Sequence, residues 1–194
     1  MAVLYTTVAG EAHAEQTIEK SRFIAHIKPV QSKEEADEYI AKIRSEYKDA
    51  THNVPAFVIG DKMQLVWGSD DGEPSGTSGA PMAVMLQKMG ITNVVVVVTR
   101  YFGGIKLGPG GLVRAYTSSA KLALEKAGIL EVKEYTSKEI VLPYSSYDKV
   151  KYLSENQPFE IVSSSFEDSV KLVISYEKDD ENLVSSLLSD LIKK

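Results

Sequence analysis

The run Val94–Val98 is the feature that most restricts the fold of this chain. It consists entirely of valine. A strand with one solvated face alternates apolar and polar residues, so an unbroken apolar run predicts a strand that is covered on both faces. We therefore expect this strand to lie centrally in a sheet, with helices packed against it.

The surrounding patterns predict strand, helix, two strands, helix, strand, helix, which is an α+β domain. Ser32 and Glu35 fit a capping box at the start of the first helix, and Pro81 marks the start of the second. The remaining predicted elements are a strand or hairpin over Gln16–Val30, a hairpin of Val54–Ile59 with Met63–Trp67, and a helix over Gly110–Lys126.

A second unit is predicted from the polar stretch around Glu134–Ser137 onward. Its order is strand, helix, strand, strand, helix, a ferredoxin-like βαββα unit without the usual closing strand. We place the two domains at residues 1–135 and 136–194. The first carries 15 basic and 16 acidic residues up to Thr136, and the remainder carries 7 and 11.

Composition excludes several classes of function. The chain has no cysteine, so disulfides, thiolate nucleophiles and cysteine metal sites are excluded. We expect a soluble, cytoplasmic protein, because the N-terminus lacks the features of a signal peptide and no apolar run is long enough to cross a membrane. A net charge of -5 means that any site for a polyanion must be local.

The segment Thr99–Tyr116 carries the strongest chemical pattern, an anion-binding loop between a strand and a helix. Glycines let backbone N–H groups approach an anion, and a helix N-terminus adds partial positive charge. The candidate binding residues are Arg100, Gly103, Gly104, Lys106, Gly108, Gly110, Gly111 and Arg114. In the alternative interpretation the glycines only form a tight turn, and Arg100 packs against a carboxylate.

Standard nucleotide motifs do not fit this loop. Pro109 and Gly110 stand where a P-loop needs Lys and Ser or Thr, and the dinucleotide-binding fingerprint is also broken. Nucleotide hydrolysis is therefore not predicted, and no cofactor is expected.

A second candidate site is acidic. Asp70, Asp71 and Glu73 supply carboxylates for a divalent metal or a general base, and His52 is a candidate proton carrier. Their spacing matches no EF-hand or HExxH motif, so a solvated turn is the alternative. In an intermediate interpretation, one of these carboxylates orients a cation of the glycine loop.

Together, ATHNVPAFVIG, DDGEPSGTSGAPM and VVVVVTRYFGGIKLGPGGLVRAY resemble the YigZ/IMPACT family, with TRYFGG and KLG as the most specific parts. The resemblance implies an N-terminal domain like domain 2 of ribosomal protein S5 and a C-terminal ferredoxin-like domain. The eukaryotic relatives regulate translation by competing for a ribosome-associated activator of a stress kinase. The chain departs from the family at Val54, where members commonly carry cysteine, and in its shortened C-terminus.

Two functions are compatible with these patterns. The first is a regulatory binding protein, associated with translation or the ribosome, whose basic glycine loop contacts RNA, a nucleotide or an acidic protein. The second is an enzyme acting on a small phosphorylated substrate, with a divalent metal on the acidic loop. No membrane partner is expected.

Overall fold

The computed structural model describes residues 3–192 of the chain. It contains two compact units, one formed by Tyr5–Val132 and the other by residues 133–192 together with Val3 and Leu4. Both contain helices and antiparallel strands, which confirms the predicted mixture of α and β structure.

The first unit is built on a five-stranded antiparallel sheet in the order β2-β3-β6-β4-β5. The strands β1 and β7 form a separate two-stranded sheet. The elements are β1 Val3–Val8, β2 Ala12–Ile18, β3 Ser21–Pro29, α1 Lys33–Glu46, β4 His52–Ile59, β5 Leu65–Gly68, α2 Gly79–Lys88, β6 Val94–Tyr101, α3 Gly108–Ala127 and β7 Ile129–Lys133.

The valine run lies in the central strand β6 and is buried on both faces, as predicted. Val94, Val96 and Val98 pack in one apolar cluster with α2 and α3. Val95 and Val97 pack in another cluster with α1. The run is therefore continuously apolar because each face of the strand contacts a different helical layer.

Local sequence signals mark the starts of the first three helices to within two residues. The hydroxyl of Ser32 accepts a hydrogen bond from the N–H of Glu35 at 3.2 Å, while the Glu35 carboxylate accepts from the N–H of Gln31 at 2.8 Å. The second helix begins at Gly79 and the third at Gly108, earlier than predicted. The strands β1 and β7 are not among the elements predicted from the sequence.

The second unit has the predicted order βαββα. Its elements are β8 Tyr135–Leu142, α4 Tyr144–Asn156, β9 Phe159–Phe166, β10 Val170–Glu177, a 3-10 turn Lys178–Asp180 and α5 Glu181–Leu188. The sheet order is β8-β10-β9, and β10 is antiparallel to both neighbours. The last helix ends at Leu188. The core of the second unit includes Leu142, Val150, Leu172, Tyr176 and Leu188.

Candidate functional site

The glycine segment, residues 102–107 between β6 and α3, lies against the turn between β2 and β3. A Cβ atom on Gly103 would lie 2.0 Å from the backbone carbonyl carbon and oxygen of Lys20, which is inside van der Waals contact. The turn itself is tight, since Glu19 and Lys20 both have positive φ angles, 46° and 64°. Gly103 is therefore required for close packing of two backbone segments.

Two further glycines have conformational roles. Gly104 and Gly108 have φ angles of 87° and 69°, in the region that side-chain-bearing residues rarely adopt. Gly110 and Gly111 lie in the first turn of α3, and a Cβ on Gly110 would meet only Arg114 Nη1, at 3.6 Å. The turn-forming interpretation thus accounts for Gly103, Gly104 and Gly108.

The sequence predicts that Arg100 offers its charge to a ligand. In the structure its guanidinium is instead buried in an ion pair. Its Nη1 donates to Glu73 Oε1 at 2.6 Å, and the side chains are only 5% and 4% exposed. The Nη2 atom donates to the hydroxyl of Ser21 at 3.3 Å. The rings of Phe23 and Phe102 each lie 5.4 Å from the guanidinium carbon.

Glu73 is the centre of this buried network. Its Oε1 also accepts a hydrogen bond from the hydroxyl of Tyr116 at 2.7 Å. Burial, and then the hydrogen bond to Glu73, raise the pKa of Tyr116, which stays protonated and remains the donor. Glu73 thus orients Arg100 near the end of β6, which is the kind of contact that the intermediate interpretation of the acidic loop describes.

His52 lies beside the network at the start of β4. Its Nδ1 is 2.7 Å from the backbone carbonyl oxygen of Asp71, an atom that only accepts, so Nδ1 carries the proton. The Nε2 atom lies 3.9 Å from Glu73 Oε1. The structure therefore brings together His52 and Glu73 of the predicted acidic site.

Asp70 and Asp71 hold the acidic loop closed. Asp70 accepts hydrogen bonds from the N–H groups of Gly76, Ser78 and Gly79 and from the Ser78 hydroxyl, which caps the start of α2. Burial alone would raise its pKa, but these hydrogen bonds lower it.

Asp71 has a similar internal role. Its two carboxylate oxygens accept from Arg44 Nη2 at 2.8 Å and from the N–H of Asn53 at 2.7 Å. Within residues 3–192 there is no group of three or more His, Asp or Glu side chains placed to hold a metal ion. The geometry thus favours a structural role for both aspartates over the predicted role as metal ligand or general base.

Val54, the position at which the chain departs from the family resemblance, is fully buried in β4. It belongs to the apolar cluster under α2 and α3. The residue is therefore part of the core and has no access to a ligand.

Two of the predicted site cations, Lys106 and Arg114, line a groove of about 770 Å³, here called the outer groove. It lies between α3, the β2–β3 turn and the glycine segment. Its lining residues are Ile18, Glu19, Met85, Ile105, Lys106, Leu107, Gly111, Arg114, Ala115, Thr117, Ser118 and Lys121.

Three cations and one carboxylate line this groove, although the whole chain carries a net charge of -5. Lys106 and Arg114 are exposed, and their side chains form no hydrogen bond or ion pair with the residues that the structure describes. Lys121, which the sequence analysis did not assign to the site, lies 3.9 Å from Glu125 on the exposed surface. Its spacing of seven residues from Arg114 on one helix was the signal for it.

A smaller cavity of about 290 Å³, here called the inner cavity, lies on the other side of the glycine segment. The buried pair Glu73 and Arg100 lines it, together with Phe102 and Leu112. Lys106 and Leu107 line both spaces. The predicted site residues are thus divided between two neighbouring spaces, with Arg100 in the inner cavity and Arg114 in the outer groove.

Comparison with known families identifies both parts of the chain. Residues 19–124 match the Impact N-terminal domain, and residues 140–192 match a domain of unknown function, DUF1949. The first match contains the buried network and all the lining residues of the outer groove except Ile18. No helix within residues 3–192 has the length and apolar character needed to cross a membrane.

Several proteins are similar over most of the chain. The IMPACT family member YvyE of Bacillus subtilis is 38% identical over 96% of this chain and 86% of its own length. The IMPACT family member YigZ of Escherichia coli is 34% identical over 82% and 79%. A crystal structure of a hypothetical protein is 31% identical, with a TM-score of 0.64 over 96% of this chain and 91% of that one.

Proposed function

Because this chain belongs to the IMPACT family, we propose that it is a cytoplasmic regulatory protein of translation that binds an anionic partner in the outer groove. The observation that carries the proposal is the convergence of Lys106, Arg114 and Lys121 on one groove of an acidic protein. Such a local cationic cluster attracts RNA, nucleotides or acidic protein surfaces.

The proposal includes the folds that the family resemblance implies. The first unit, up to about residue 135, is like domain 2 of ribosomal protein S5, and the second is a ferredoxin-like unit without a closing strand. The sheet order β8-β10-β9 supports the second assignment, because a ferredoxin-like unit also places its third strand between the first two.

Among the described residues, the acidic loop does not favour the alternative of an enzyme on a phosphorylated substrate. Asp70, Asp71 and Glu73 each already accept internal hydrogen bonds. A general base or metal ligand would have to give up these contacts. The binding function is therefore the one we propose.

Co-sedimentation with ribosomes at graded salt tests this function. We expect association that weakens as salt rises, because charge-charge contacts are screened. The substitution Arg114→Glu should weaken it further, whereas Lys126→Glu, the same charge change on the same helix outside the groove, should not. Association that is absent, or equally strong in both variants, would contradict the proposal.

A further inference from the structure

The floor of the outer groove is apolar. Ile18, Met85, Ile105 and Leu107 contribute aliphatic or thioether side chains, and Ile105 is 37% exposed. Methionine adapts its shape to different apolar surfaces, which suits a binding groove. A ligand that carries only charge would leave this apolar surface uncovered, so the occupant must also be apolar on one side.

The groove follows one face of α3 for almost four turns. Its lining residues from this helix and its N-cap extend from Leu107 to Lys121. At 1.5 Å per residue this stretch is about 21 Å long. The groove is thus elongated, with the dimensions of a helix of about fourteen residues.

The spacing of the cations along α3 matches the spacing of side chains on a second helix. Arg114 and Lys121 lie seven residues apart on α3, which is an axial separation of about 10.5 Å. Carboxylates seven residues apart on a partner helix lying alongside would have the same separation. Lys106 adds a third cation at the end of the groove near the helix N-terminus.

Aromatic side chains, on which unpaired RNA bases stack, are absent from the described residues that line the groove. Phe102, the exposed aromatic residue of the glycine segment, lines the inner cavity. The apolar floor therefore fits aliphatic side chains of a protein better than bases.

We infer that the outer groove receives an acidic amphipathic helix of a partner protein, with leucine-like side chains on the floor and carboxylates beside Arg114 and Lys121. This inference rests on the proposed function and names the chemistry of the partner. Helices with apolar residues at i, i+3, i+4 and i+7 bind grooves of this form.

The walls of the groove are held in place before a partner binds. The amide Nε2 of Gln16 donates to the hydroxyls of Ser118 and Ser119 at 2.8 and 2.7 Å, which fixes β2 against α3. At the other end the turn at Lys20 packs against Gly103. A preformed groove saves the cost of ordering its walls on binding.

The test measures the binding of three fluorescent probes to the 194-residue chain. The first is a peptide of about 18 residues with leucines at positions i, i+3, i+4 and i+7 and with glutamates seven residues apart. The second is a scrambled peptide of the same composition, and the third is a polyuridine oligonucleotide. Ile105→Asp changes the apolar floor of the groove, and Lys121→Glu reverses the charge of one of its cations. Lys126→Glu makes the same charge change on the same helix outside the groove and is the matched control.

We expect the patterned peptide to bind at least about tenfold more tightly than the scrambled peptide and the oligonucleotide. Ile105→Asp and Lys121→Glu should each weaken it about tenfold, and Lys126→Glu should not. Preferential binding of the oligonucleotide, equal binding of both peptides, or an unchanged affinity in both groove variants would overturn the inference. If one of these results is found but ribosome association still depends on Arg114, the proposed function stands and only the inference of a helical partner fails.

Discussion

Arg100 and Glu73 form an ion pair inside the first unit, with Nη1 2.6 Å from Oε1 and both side chains almost fully buried. Removing one partner of a buried pair leaves an uncompensated charge, which costs about 3–5 kcal/mol. We therefore expect Glu73→Gln to lower the free energy of unfolding by about this amount. Urea denaturation followed by circular dichroism measures the change.

The double variant Glu73→Gln with Arg100→Met is the control for this prediction. It removes the unpaired cation as well, so it should be more stable than Glu73→Gln alone. A double variant that is less stable by the sum of both single losses would show that the two residues do not act as a pair.

Gly103 and Gly110 should respond differently to the same added methyl group. Gly103→Ala places a Cβ 2.0 Å from the backbone of Lys20, and such overpacking costs about 1–3 kcal/mol. Gly110→Ala meets only the end of Arg114 and replaces a helical glycine, so it should stabilise the chain by about 0.5–1 kcal/mol. Thermal unfolding of both variants checks the prediction, and equal melting temperatures would contradict it.

His26 should make the stability depend on pH. Burial, and then the nearby His13, lower its pKa from 6.5 to about 4. The unfolded state binds the proton first as pH falls, so the stabilisation is complete above about pH 6.5 and is lost toward pH 4. The loss amounts to at most about 3 kcal/mol.

Urea denaturation between pH 7 and 4 measures this effect. The loss of stability over this range should be smaller in His26→Gln than in the unchanged chain. His13→Gln should retain most of it, because burial is the larger cause. The same pH dependence in His26→Gln and the unchanged chain would show that other groups produce it.

Asp70 should matter for the start of α2. Asp70→Ala removes the acceptor of three backbone N–H groups and should cost about 0.5–2 kcal/mol, the usual range for a helix cap. The pKa of Asp70 is lowered in the folded chain, so its contribution is present above the unfolded pKa and is lost as pH falls. A variant whose stability differs equally from the unchanged chain at pH 3 and pH 7 would contradict this role.

Much of the fold was predictable, because periodicity reports burial directly. The valine run indicated a strand covered on both faces, and Val95 and Val97 do face a different cluster from Val94 and Val96. The strand β1, in contrast, pairs with β7 through contacts distant in sequence, which local patterns do not contain. The sequence of β1, VLYTTV, also lacks a regular alternation of apolar and polar residues.

The site was less predictable than the fold. Residue type indicated that Arg100, Lys106 and Arg114 are cations, but only the tertiary structure determines which of them is already paired. Arg100 lies within β6, where its partner Glu73 comes from a loop 27 residues earlier. Lys121 lies outside the glycine motif, so the motif does not assign it to the site, although it belongs to the same helix face as Arg114.

The short segment formed by Lys106 and Leu107 is a shared wall, since it lines both the outer groove and the inner cavity. A molecule that displaces this wall in one space changes the shape of the other. Thermodynamic linkage then requires the effect to be mutual, with each occupant altering the affinity of the other by the same factor. Two ligands on opposite sides of these residues would therefore cooperate or compete without touching each other.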